Sequence, residues 1–191
     1  MKALKIGCAG LFLLWVIGFF VQRVFVEPRE QSEQAKRLAS PTRKWTMLRS
    51  RSSFDDSPTV ELQLKAEAPI SGWPGVTRTP TLILRCNEHK IDALISIGMR
   101  AKTSFGEYGR DLGTSTRGRY DKGEVFEYLM PKSTDGQAFF FPKPIEEIKY
   151  MMKHSPLVLE FTPFNSNPVE MRFEIAGVLE AIKPLREACS W

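Results

Sequence analysis

Two histidines, three cysteines and a few paired charges are the side chains in this sequence best suited to chemistry. A nucleophilic triad needs a nucleophile, a base and a third group that orients the base. The base would be His89, in the turn Asn87-Glu88-His89-Lys90, or His154, just past a helix-like stretch. Both lie in turn-like sequence and read as surface residues. A zinc site needs clustered Cys and His ligands, and two histidines with three widely separated cysteines fall short of that. The expectation is a protein with no catalytic residues, no cofactor and no metal.

Cysteine usage points to a compartment instead. Cys8 sits inside an apolar run and reads as a small apolar residue. Cys86 and Cys189 have no Cys-x-x-Cys arrangement, which argues against redox catalysis. They read as one structural disulfide, in preference to free thiols, pinning a domain displayed in an oxidising compartment.

Other polar and aromatic sets are candidates for binding. Arg119 and Asp121 flank Tyr120 on a predicted strand. They carry the charges for a ligand clamp, although an ion pair or a turn-forming aspartate is the simpler account. Asp55 and Asp56 precede Ser57-Pro58 and read as the start of a turn. Trp73, in Gly72-Trp73-Pro74-Gly75, either caps the core or stands exposed as an anchor for a partner. In Phe139-Phe140-Phe141 a strand must turn at least one ring outward. Trp73, Phe139, Phe140 and Phe141 are therefore the candidate partner-contact residues.

The elements that position these residues are mostly strands. Val60, Leu62, Leu64 and Ala66 alternate with polar residues. Leu82, Leu84 and Cys86 share a face; Ile91, Ala93, Ile95 and Ile97 follow the Asn87–Lys90 turn, which predicts a hairpin. Thr116–Tyr120, Glu124–Met130 and Ala138–Phe141 are further strand candidates. Leu157, Leu159 and Phe161 alternate, as do Val169, Met171, Phe173 and Ile175. Two stretches read as helices. Pro144–Lys153 has Pro in its first turn, early glutamates and a late lysine. Val178–Ala188 carries a stripe of Val178, Ile182 and Leu185, with Pro184 expected to kink it or end a turn. The predicted fold is mainly β: an antiparallel β-sandwich or curled sheet with two short helices, preceded by one N-terminal transmembrane helix.

Charge follows the same division. Residues 1–44 carry eight Lys/Arg and three Glu, while the other 147 residues carry 19 of each sign. The net +5 thus belongs to the N-terminal part, which suits anionic lipid head groups better than nucleic acid. Ile6–Val21 is an apolar run of 16 residues behind Lys2 and Lys5. A bilayer span takes roughly 20 residues, and extension to Val26 with Arg23 snorkelling makes up the difference. No small-residue pair marks a cleavage site after the run. Residues 1–26 therefore read as a retained signal anchor in preference to a cleaved signal peptide, 27–44 as a basic stem, and 45–191 as the β-rich domain. Lys2 and Lys5 favour the N-terminus inside, whereas the basic stem favours the reverse. The cysteine pair tips the expectation towards a domain on the outer side of the membrane, held by a single-pass anchor.

At the C-terminus the pattern becomes specific. Phe173-Glu174-Ile175-Ala176-Gly177-Val178-Leu179-Glu180-Ala181-Ile182-Lys183-Pro184-Leu185-Arg186-Glu187-Ala188-Cys189-Ser190-Trp191 resembles the ending of the VasI/TagO family of type VI secretion-associated proteins, which has prophage-encoded relatives. Upstream, Trp45, Asp55-Asp56-Ser57-Pro58, Leu84-Arg85-Cys86, Arg119-Tyr120-Asp121 and Ser133–Phe139 agree in order. Cys86 and Cys189 match the family's pair. The resemblance implies an envelope accessory protein and no particular reaction. The basic stem and anchor depart from the family's simple secreted form. Two function classes follow. The first is a non-enzymatic membrane-anchored protein that binds another envelope protein and no nucleic acid. The second is an enzyme or enzyme inhibitor acting on cell-envelope material. A deep pocket with convergent polar groups favours the second; a flat exposed aromatic patch favours the first.

Overall fold

A computed structural model describes residues 44–53 and 55–191. The expected anchor and nearly all of the expected stem lie outside these residues. Among the described residues no helix is long and apolar enough to cross a membrane.

Alternation of apolar and polar residues builds two antiparallel sheets around a shared core. The first has the order β1-β2-β5-β6-β10, formed by β1 (Thr46–Arg51), β2 (Pro58–Lys65), β5 (Thr81–Asn87), β6 (Lys90–Ser96) and β10 (Ala138–Phe140). The second runs β12-β11-β8-β7, from β12 (Val169–Phe173), β11 (Leu157–Phe161), β8 (Asp111–Tyr120) and β7 (Ser104–Phe105), with β9 (Phe126–Met130) also pairing with β8. A separate ribbon joins β3 (Ile70–Gly72) to β4 (Val76–Arg78). Val60, Leu62 and Leu64 on β2 and Leu82, Leu84 and Cys86 on β5 are buried, as the period-2 pattern predicts. From the second sheet come Leu157, Leu159, Phe161, Met171 and Phe173. The Phe139 ring on β10 lies 5.4 Å from the Phe161 ring on β11, so the two sheets meet there.

Turn chemistry follows the sequence closely. Asp55 accepts hydrogen bonds from the backbone N–H and hydroxyl of Ser57, at 3.1 and 2.7 Å. Asp135 accepts from the backbone N–H of Gln137 at 3.0 Å. Short aspartates close turns in this way by binding the backbone two residues on.

Helix α1 (Pro144–Met151) packs against β6 and buries Ile148 and Met151. The second predicted helix is divided at Ile182 into α2 (Val178–Ala181) and α3 (Lys183–Ala188). Pro184 falls in the first turn of α3, where its missing N–H and fixed φ cost nothing. Helix α3 packs against β2 and β5. Cys189, just past α3, is bonded to Cys86 on β5, with Cα atoms 5.9 Å apart. The disulfide ties the central hairpin to the C-terminal helix across a separation of 103 residues.

Phe139 and Phe141 correct an expectation. Both are buried in the core, so neither presents a ring to a partner. Strand β10 is three residues long, and the chain turns inward again directly after Phe140. Only Phe140, half-buried, has any outward area.

Candidate functional site

The second sheet and α1 flank a half-open cavity of about 650 Å³, within the range of small-ligand pockets. Strand periodicity supplies one wall. Phe126, Tyr128 and Met130 point to one side of β9, and Tyr120 closes the inward row on β8. Register pairs Gly118 with Phe126 and Thr116 with Tyr128. Gly118 makes room for the ring: a Cβ there would come within 2.8 Å of the Phe126 ring and within 2.8 Å of the Val158 carbonyl oxygen. Helix periodicity supplies the other wall. Glu147 and Tyr150 are spaced i and i+3 on α1, and His154 continues the row at i+7 just beyond it.

The rings form a connected array. Tyr120 is edge-on to Tyr150 at 4.8 Å and tilted over Phe126 at 5.6 Å. Phe126 lies 4.7 Å from Tyr128. Tyr150 stacks on the His154 imidazole at 4.1 Å. Such offset and edge-on contacts place the positive edge of one ring against the negative face of another.

Glu147 lies at the floor and is only 6% exposed. The Tyr120 hydroxyl donates to its Oε1. Tyr128 donates to Oε2 at 3.1 Å. Burial and the neighbouring carboxylate push the Tyr120 phenol well above its ordinary value, and the same causes push Tyr128 up to about 12. Both phenols therefore stay protonated at neutral pH and act as donors. Among the described residues Glu147 has no ion-pair partner. At the rim, Lys143 pairs with Glu146 at 3.3 Å, and Glu124, Val125 and Pro142 complete the lining.

Burial raises the Glu147 carboxyl above its ordinary 4.5, while the two tyrosine hydrogen bonds oppose the rise. A carboxyl whose pKa is higher folded than unfolded costs stability when charged. That cost is full above the folded pKa, fades as pH falls through it, and is gone below 4.5. Glu147→Gln carries no such cost. The stability difference between parent and variant should therefore move in the parent's favour as pH falls from neutral to below 4.5, measured by urea unfolding at each pH. A difference independent of pH would show that the buried carboxylate carries no penalty.

The residues singled out from the sequence fall in different places. Asp121 and Arg119 do not form a clamp. Asp121 holds a left-handed φ of 51° and accepts from the Ser155 backbone N–H at 2.9 Å. Its other oxygen lies 2.9 Å from His154 Nδ1. Arg119 points to the exposed face of β8. His89 is an exposed turn residue, whereas His154 is half-buried and held by Asp121 and Tyr150. His154→Ala is thus expected to cost about 1 kcal/mol, the scale of one partly exposed hydrogen bond. His89→Asn, which tolerates the left-handed turn, should stay within about 0.5 kcal/mol. Denaturant midpoints of the two variants decide this; equal effects would contradict it. Trp73 is exposed, at 57%, and edge-on to the exposed Phe164 at 6.4 Å, so it does not cap the core. Among the described residues no group of three or more His, Cys, Asp or Glu side chains is placed to hold a metal ion.

The cavity residues Phe126, Tyr128, Glu147 and Tyr150 were not singled out in the sequence. A signal existed in the polar row 147, 150, 154 at helical spacing. It competed with the apolar row of the same helix, and Glu147 reads there as an ordinary first-turn acid.

Comparisons with known proteins add a family. No curated protein matches the sequence. The fold is similar to the crystal structure of invasion associated protein B from Bartonella henselae, with a TM-score of 0.51 and 10% identity. That similarity covers 78% of this chain and 95% of the other, and at such identity it speaks to the fold alone. The family model described as type VI secretion system VasI, EvfG matches residues 23–191, which include both disulfide cysteines and every residue of the cavity. The chain belongs to the VasI family of type VI secretion system proteins.

Proposed function

We propose that this protein is a non-enzymatic accessory component of the bacterial envelope. In this reading it is anchored in the inner membrane, displays its domain in the periplasm, and works by binding another protein. Family membership and the Cys86–Cys189 bond support the compartment. A pocket with convergent polar groups is in itself the mark of the enzyme class; what carries the binding reading is the makeup of this one, aromatic rings around a single buried carboxylate, Glu147. Rings and one fixed carboxylate are a holding arrangement. The two phenols around Glu147 stay protonated, so they orient the carboxylate and do not act as nucleophiles.

A catalytic reading has one specific support, since a buried carboxyl with a raised pKa is also what a proton donor to a substrate needs. It would make the protein an enzyme on envelope material, with Glu147 as its acid.

Complementation separates the readings. In a strain lacking this gene, the full chain should restore type VI-dependent secretion. Val125→Lys, at the exposed rim of the cavity, should accumulate normally yet fail to restore it. Full restoration by Val125→Lys combined with Tyr150→Ala would sink the binding reading. Turnover of purified envelope material, lost in Glu147→Gln, would favour the enzyme. For topology, a phosphatase fused after Trp191 is expected to be active. An inactive fusion, with an active cytoplasmic reporter at the same point, would reverse the orientation.

A further inference from the structure

We infer that the cavity takes an organic cation, an alkylammonium or guanidinium group, between its tyrosine rings and Glu147. The inference rests on the binding reading above and names the chemistry of the bound group.

Three observations converge on it. First, Glu147 is a buried carboxylate whose oxygens meet only neutral phenols, and among the described residues it has no counter-charge. Removing a carboxylate from water without a cation is unfavourable, and an entering cation relieves that cost. Second, Tyr120, Phe126, Tyr128 and Tyr150 line the same cavity. Ring faces carry negative charge density and attract cations within about 6 Å. Third, the lining charges are Glu124, Glu146 and Glu147 against Lys143 alone. The mouth is therefore negative, which draws cations in and repels anions.

The surroundings are consistent with this polarity. His154, behind Tyr150, is turned away to Asp121, 2.9 Å from its Nδ1. Lys143 is turned to Glu146 at 3.3 Å and is exposed. A neutral sugar would use the rings but leave the carboxylate without its counter-charge.

The cation has two sources, a lysine or arginine side chain of a partner protein or a free small amine. Titration of the full chain in detergent, followed by tyrosine fluorescence, distinguishes them. The probes are tetramethylammonium, cadaverine, a Gly-Lys-Gly peptide with blocked ends, and N-acetylglucosamine as the neutral control. Saturable binding of the cations is expected, weakened about tenfold or more in Glu147→Gln, in keeping with the loss of a desolvated charge pair. In Tyr150→Ala, an exposed position whose loss spares the core, binding should weaken by about two- to fivefold. Tighter binding of the peptide than of cadaverine assigns the source to a protein side chain, and the reverse assigns it to a free amine. Cation binding that Glu147→Gln leaves unchanged, or no saturation by any cation up to about 10 mM, overturns the inference. If cations fail while Val125→Lys still abolishes complementation, the binding reading stands and only the cation falls.

Discussion

Replacing Cys86 and Cys189 together by alanine is expected to lower the unfolding free energy by about 4–5 kcal/mol, the chain-entropy value for a closed loop of about a hundred residues. The bond spans 103 residues, more than half of the chain, so the unfolded ensemble it restrains is large. Its two ends lie on a central strand and at the end of the short C-terminal helix packed against it. Helix α3 is six residues long and buries Leu185, with Ala188, Cys189 and Trp191 packed partly against the core. Native domains are stable by only about 5–15 kcal/mol, so this loss takes about a quarter or more of the total. Alanine is the right replacement because Cys86 is fully buried, where a serine hydroxyl would add an unpaired polar group. Urea unfolding of parent and variant, with a reduced parent as the third sample, measures the effect. A variant midpoint equal to that of the oxidised parent would show that the bond does not restrain the domain.

The second large effect concerns Phe139. Phe139→Ala is expected to cost about 3–5 kcal/mol, the range for deleting a buried aromatic ring. Phe139 is 0% exposed and meets Phe161 across the two sheets, so truncation opens a cavity where they join. Neighbouring Phe140 is half-buried on the other face of β10, and its alanine variant should cost no more than about 1–2 kcal/mol. Stability differences by urea unfolding test the contrast. A Phe139→Ala domain within about 1 kcal/mol of the parent would mean that the sheets do not rely on this ring. The contrast also governs how phenotypes are interpreted. Loss of function at Phe139 reports unfolding, whereas loss at Val125 or Tyr150 reports the cavity.

Much of the scaffold was legible because its signals are local. Alternation at period 2 marked β2, β5, β6, β11 and β12, since one face of each strand must leave water. Pro144 with Glu146 and Glu147 marked the start of α1, since helix ends have fixed electrostatic needs. Strands β1, β3, β4 and β7 were not legible. The first is exposed along its whole length, and the other three are two or three residues long. None of them offers a pattern to detect. The disulfide was readable because only Cys86 and Cys189 lie outside the apolar run.

The cavity was not legible, and neither was the burial of Phe139 and Phe141. Tyr120 ends β8, Phe126 and Tyr128 come from β9, and Glu147 and Tyr150 come from α1. Their meeting depends on the β8–β9 register, on the bare Gly118 beneath Phe126, and on the docking of α1 against β6. Each of these is a contact between residues distant in the chain, and no local period encodes which polar face turns towards which sheet. The chain's own pattern determined that this protein is a disulfide-bearing β domain of the VasI family. Only tertiary packing decided that an acid and four rings from three elements share one cavity, because packing selects which faces close on each other once every strand and helix has hidden its apolar side.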